Sequence, residues 1–177
     1  MKPLTLIVPF LLFTLQCSTL EKYWNRWNTD LESVIIQRSG LRKTAKFLMV
    51  PLEPRNVELG LVNANNLTDN LRFELEDQGV RTIPMQRIPQ ENQSSGFDPG
   101  IIAQYGADFA ITGYVFHIMT GSILEEEDSV GVMVRIISKE GKEAAFVRFI
   151  GKGDIDSFEE NARAAHEVAG EIVTILE

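Results

Sequence analysis

One cysteine, Cys17, stands in a chain of 177 residues. No internal disulfide can form, so a packed core alone has to hold the fold. The chain is long enough for that. Setting aside residues 1–16 leaves 161 of the 177, an ordinary size for one domain with a sizeable core. Hydrophobic residues make up 44% and charged residues 24%, a globular rather than a disordered balance. The formal net charge is −8, and Lys2 is the only charge in the first sixteen residues, so without them it becomes −9. That balance excludes nucleic acid as a partner, since its binders present basic faces. It also excludes electrostatic adhesion to anionic lipid.

The lone cysteine closes a particular lead-in. Lys2 precedes the apolar run Leu4 to Phe13, which stops at Thr14-Leu15-Gln16-Cys17-Ser18. A positive start, a short apolar core and a processing point are the layout of an export signal. The core falls short of the roughly twenty residues that a spanning helix needs, and Pro9 interrupts it. In this position Cys17 resembles the lipobox cysteine of bacterial lipoproteins, with Gln16 and Thr14 departing from its usual small residue and leucine. The resemblance implies residues 1–16 as a signal peptide and Cys17 as the acylated first residue. Two or more acyl chains hold firmly where one holds marginally. The anchor would then be covalent, probing the membrane through lipid rather than charge, and Ser18 does not resemble an inner-membrane retention signal, which points to the outer membrane.

From Ser18 to Lys43, Leu20, Trp24, Trp27, Leu31 and Val34 step by four and three, which predicts one stripe of a tether helix over residues 17–44. Three readings of the stripe stay open: packing on the chain's own domain, an interfacial helix with Trp24 and Trp27 at headgroup level, or a seam for self-association or a partner. Residues 45–177 form the domain proper. Ala45 to Val50 reads as a buried strand, 51–63 as a loop, and 64–78 as a helix with Leu67, Leu71 and Leu75 inward and Gly79 as its terminator. Val80 to Ile83 is a strand parallel to the first. Asp98-Pro99 opens a short helix ending at Gly106. Ala107 to Met119 is the longest strand signal, with Gly113 marking a bulge or a close neighbour. Val130 to Ser138 and Ala144 to Ile150 make a hairpin around Glu140-Gly141-Lys142. Ser157 and Glu160 are spaced as a capping box, and Phe158, Ala162, Ala165, Ala169, Ile172 and Leu176 then line one helical face. The fold class is α/β (α+β): a single mixed β-sheet with flanking helices, order β-α-β-α-β-β-β-α, preceded by the tether helix.

Several pieces in this order resemble one family, the periplasmic α/β domain shared by the lipoprotein CsgG, LpoB, FlgT and the amino-terminal domain of TolB. They are Phe47-Leu48-Met49-Val50-Pro51-Leu52, Leu67-Thr68-Asp69-Asn70-Leu71 with Leu75, and above all Tyr105-Gly106-Ala107-Asp108-Phe109-Ala110-Ile111-Thr112-Gly113. Only Arg87 corresponds to the family's acidic-arginine pair. The long pore-building hairpins of CsgG have no counterpart in Val130 to Ile150, and four acids, Glu125 to Asp128, precede that hairpin. The resemblance implies an assembly or activation factor.

Catalysis finds little footing. His117 and His166 have no cysteine near them in the sequence, whereas a zinc site takes three or four ligands. Gly151-Lys152-Gly153 lacks the phosphate-loop pattern and reads as a strand end passing close to another backbone. Glu125, Glu126, Glu127 and Asp128 lack the alternation and glycine of a calcium loop. The expectation is a non-enzymatic, lipid-anchored envelope protein without a cofactor. It binds another envelope protein through Trp24, Trp27 and the loop Glu125, Glu126, Glu127 and Asp128. Alternatives are a subunit of a ring-like or multimeric assembly, and a small-ligand-binding domain.

Overall fold

The computed structural model describes residues 29–55, 60–85, 97–119, 128–153 and 157–177. Its elements are β1 (Thr29–Ile35), β2 (Lys46–Met49), β3 (Glu53–Pro54), α1 (Gly60–Asp77), β4 (Arg81–Pro84), α2 (Gly100–Gln104), β5 (Phe109–Met119), β6 (Asp128–Ser138), β7 (Glu143–Gly153) and α3 (Ser157–Leu176). From β2 onward this is the expected order with β3 added. All seven strands join one mixed sheet in the order β1-β7-β6-β5-β2-β4, with β3 beside β5. Strands β2, β4 and β5 run parallel, while β5, β6, β7 and β1 are antiparallel neighbours.

The first part of the chain departs from the expected tether helix. Thr29–Ile35 is a strand that pairs antiparallel with β7, Thr29 opposite Gly151 and Ile35 opposite Ala145. The same letters carry two periods. Leu31 and Val34 fit a helical stripe, but Leu31, Ser33 and Ile35 also alternate with Asp30, Glu32 and Val34, and the β7 edge selects the period of two. Leu31 and Ile35 pack on the core while Val34 is 45% exposed. The stripe's other members, Leu20, Trp24 and Trp27, lie outside the described residues.

Helices α1 and α3 pack against each other over one face of the sheet and enclose the main core. From α1 come Leu67, Leu71 and Leu75, as the spacing predicts; from the sheet come Phe47, Phe109, Ile111, Val134 and Phe149. The rings of Phe47 and Phe109 stack at 5.7 Å. Helix α3 buries Ala165, Ala169, Ile172 and Leu176 as expected, and its buried face extends to Ala164, Val168 and Val173, whereas Ala162 is exposed. Glu160 is fully buried with Arg163 Nη2 at 2.8 Å. Helix α2 covers the opposite face only near β2 and β5, where Ile102 and Ala107 meet Leu48 and Ala110. Asp98 serves that helix as expected, its Oδ1 accepting the Gly100 N–H at 2.9 Å.

Local signals explain the ends. Gly79 sits at φ +83°, and the Val80 N–H donates to the Leu75 carbonyl at 2.9 Å while Gly79 N–H donates to that of Glu76 at 3.0 Å. This is a Schellman closure, with buried Val80 against buried Leu75. The close neighbour inferred at Gly113 is the Met133 carbonyl, which a Cβ there would meet at 1.9 Å. The irregularity of β5 lies further on, between Val115 and His117. Strands β6 and β7 are each 11 residues, longer than expected, because Asp128 already pairs with Gly153.

Candidate functional site

Of the residues singled out from the sequence, Cys17, Trp24, Trp27, Glu125, Glu126 and Glu127 lie outside the described residues. Asp128 opens β6 beside Gly153, so it belongs to the sheet rather than to the loop. Gly151 is flanked by β1 and β6; a Cβ there would meet the Phe149 ring at 2.7 Å and Arg163 Nη2 at 2.8 Å. The crowding expected at Gly151-Lys152-Gly153 therefore comes from side chains, not from backbone. His166 meets Glu74 Oε2 through Nδ1 at 2.8 Å on the surface between the two long helices. Among the described residues, no three His, Cys, Asp or Glu side chains gather as a metal site would require.

Two broad surfaces stand out instead. The first is the sheet face that α1 and α3 leave bare. Over β6, β7, β1 and the part of β5 beyond Ala110 no described element covers it. Strand alternation puts Thr112, Tyr114, Met133, Arg135, Phe146, Arg148 and Ile150 on this side, since Ile111, Val132, Val134, Val147 and Phe149 face the main core. The register aligns them across the sheet, Tyr114 opposite Met133 and Met133 opposite Arg148, with Glu32 beyond. Arg55 lies 3.8 Å over the Tyr114 ring, and Arg135 lies 5.8 Å from it. Arg148 meets Glu32 at 2.9 Å and Asp30 at 3.5 Å. Arginine held over an aromatic ring or between carboxylates is partly desolvated and restrained.

The second surface is the outside of the helical layer. Helix α1 carries Asp69, Glu74, Glu76 and Asp77 against Arg72; α3 carries Glu159 and Glu167, with Glu160 buried beside Arg163 and Glu171 turned to Ser33 of β1. Each helix is therefore −3, and together they hold six of the chain's eight excess negative charges. Phe73 projects from this acidic layer, 66% exposed, with Leu61 and Val62 exposed toward the start of the same helix. Sequence reasoning did not single out Phe73, although the signal was present: it stands two residues from Leu71, on the opposite side of a helix whose inner stripe is Leu67, Leu71 and Leu75.

A smaller feature lies where β6 ends and β7 begins. A cleft of about 390 Å³ is lined by Arg42, Asp108, Phe109, Lys139, Glu140 and Lys142 among others. Its two acids are engaged. Asp108 Oδ2 accepts the Lys46 N–H at 2.9 Å. The Glu140 carboxyl is held below the ordinary range, chiefly by a hydrogen bond from the Ser138 side chain, then by its own backbone N–H, with Lys139 and Lys142 adding attraction.

No described helix is long and apolar enough to cross a membrane. The arrangement presents two surfaces, a sheet face bearing aromatic and arginine side chains and an acidic helical layer.

No protein-family model matches the chain, and no curated protein matches its sequence. Solved structures do. The chain is similar to PelC of Paraburkholderia phytofirmans, described as a dodecamer, with a TM-score of 0.57 and 10% identity over 79% of this chain and 94% of that one. A point variant of the same dodecamer in another crystal form gives 0.58 and 12% identity, over 81% and 97%. A Xanthomonas campestris protein gives 0.48 and 10% identity over 79% and 88%. At this identity the likeness to PelC is a likeness of fold, and it extends over nearly the whole of the PelC chain.

Proposed function

We propose that this chain is a non-enzymatic bacterial envelope protein, held to a membrane by acyl chains on Cys17, that works as one subunit of a homomultimeric assembly. The observation that carries the reading is the agreement of fold with the subunit of a dodecamer across 97% of that subunit. The bare sheet face favours it. An unpaired surface rich in tyrosine, phenylalanine, methionine and arginine has the composition of an interface centre rather than of ordinary surface. Attachment to the outer membrane follows from the resemblance of Leu15-Gln16-Cys17-Ser18 to a lipobox without a retention signal.

A second reading keeps the anchor and makes the partner a different envelope protein, as in the assembly and activation factors of the CsgG and LpoB type. The acidic run Glu125 to Asp128 favours it, because a basic partner surface would be steered there. The two separate by experiment. The lipidated full-length protein is extracted in mild detergent and its mass followed by native mass spectrometry over a wide concentration range. A homomultimer supports the first reading. Copies that stay single, and co-purify with another protein after in-cell crosslinking, support the second. Cys17→Ser should abolish fatty-acid labelling and move the protein from membrane to soluble fraction; unchanged fractionation would remove the anchor from both.

A further inference from the structure

We infer that copies of this chain associate head to tail, the bare sheet face of one copy seated on the acidic helical layer of the next with Phe73 as the anchor. The inference rests on the homomultimeric reading above and assigns the two surfaces that reading leaves open.

The five exposed large hydrophobic side chains among the described residues are Val34, Ile36, Leu61, Val62 and Phe73. Val34 belongs to the bare sheet side; Leu61, Val62 and Phe73 belong to α1, on the other side of this two-layer domain. Apolar exposure of this kind concentrates at contact surfaces. The charges permit the same contact. The sheet face is balanced, Arg135 paired with Glu143 and Arg148 with Asp30 and Glu32 while Arg55 lies over Tyr114, so it can receive the acidic helical layer, Asp69, Glu76 and Asp77 around Phe73, without like-charge repulsion. Copies meeting helix layer to helix layer would bring two acidic surfaces together, a repulsion that disfavours the symmetric alternative. Size agrees as well. Four strands about 4.8 Å apart and about nine residues long offer roughly 500 to 600 Å² of projected sheet, comparable with the roughly 800 Å² of accessible surface that one side of a stable interface buries. A contact between two different surfaces of one chain propagates from copy to copy and closes into a ring when the rotation allows. Surfaces on opposite sides of the domain suit a ring of many members.

The test uses full-length lipidated protein in detergent and two variants, Phe73→Ser for the helical side and Arg135→Glu with Arg148→Glu for the sheet side. Each variant alone should lose the multimer and run as single copies, with its far-ultraviolet circular dichroism unchanged. Mixed one to one, they should form pairs and nothing larger, because each supplies the surface that the other lacks. Variants that keep the full multimer, or that mix without pairing, overturn the head-to-tail contact and leave the multimer standing. A wild-type protein that stays single at every concentration overturns both. As a check on the occupant, a photo-crosslinker is placed through Met133→Cys. It should join α1 of a second copy; links only to residues 18–28 of the same copy, or only to a different protein, would overturn the assignment.

Discussion

Thr68 shows how much one side chain settles here. It is buried on α1, its hydroxyl donating to the Ala64 carbonyl at 2.6 Å and accepting the Leu52 N–H at 3.0 Å. It therefore ties the turn after β2 to the helix. Thr68→Val keeps the volume and leaves the Leu52 N–H without its acceptor, which should cost about 1–3 kcal/mol in urea unfolding. Gly113 is constrained from outside. Because a Cβ would strike the Met133 carbonyl, Gly113→Ala must move backbone, and a loss of about 1–3 kcal/mol is expected. Glu140 is a titration probe rather than a stabiliser. Its carboxyl is held below the ordinary range chiefly by Ser138, so its favourable contact is present above the ordinary carboxylate range and lost as pH falls through the lowered value. Ser138→Ala should raise that value toward the ordinary one, as read by NMR titration; an unmoved titration would contradict the assigned hydrogen bond.

Among elements, the last helix gives the clearest contrast. Ala169 is fully buried against the sheet and Ala162 is exposed, although both fell on the stripe read from the sequence. Ala169→Leu should overpack the core and cost about 1–3 kcal/mol, while Ala162→Leu should stay within about 0.5 kcal/mol of wild type. Equal effects in thermal unfolding would put Ala162 in the core with the rest of the stripe instead. The stripe was only partly legible because its small residues occur on several sides: Ala162, Ala164, Ala165 and Ala169 give no strong apolar direction. Helix α1 was legible because its three leucines, four residues apart, admit one inner face. Strand β1 was not, because a seven-residue run can carry a period of two and a period near 3.5 together, and only the open edge of β7 distinguishes them.

At the scale of the whole molecule, the negative charge is unevenly placed, six of the eight excess charges lying on the two long helices. Salt should therefore act on association more than on folding. Between about 0.1 and 1 M salt the screening length falls from roughly 10 to 3 Å, and the multimer's dissociation constant should fall several-fold as repulsion between acidic copies is screened, while the urea midpoint changes little; sedimentation in both salts reads the first and unfolding the second. The α/β class, the order of elements from β2 onward and the ends at Gly79 and Gly106 were present in the chain's letters, because each depends on residues near in sequence: a spacing, a cap, a turn; at Gly113 the letters held only the missing side chain, and the Met133 carbonyl against it came from the fold. The bare sheet face, the exposure of Ala162 and the exposure of Phe73 were decided by the tertiary structure alone. They depend on which strand pairs with β7 and on how much of a seven-stranded sheet two long helices can cover, and no local pattern encodes the area left over when distant segments pack.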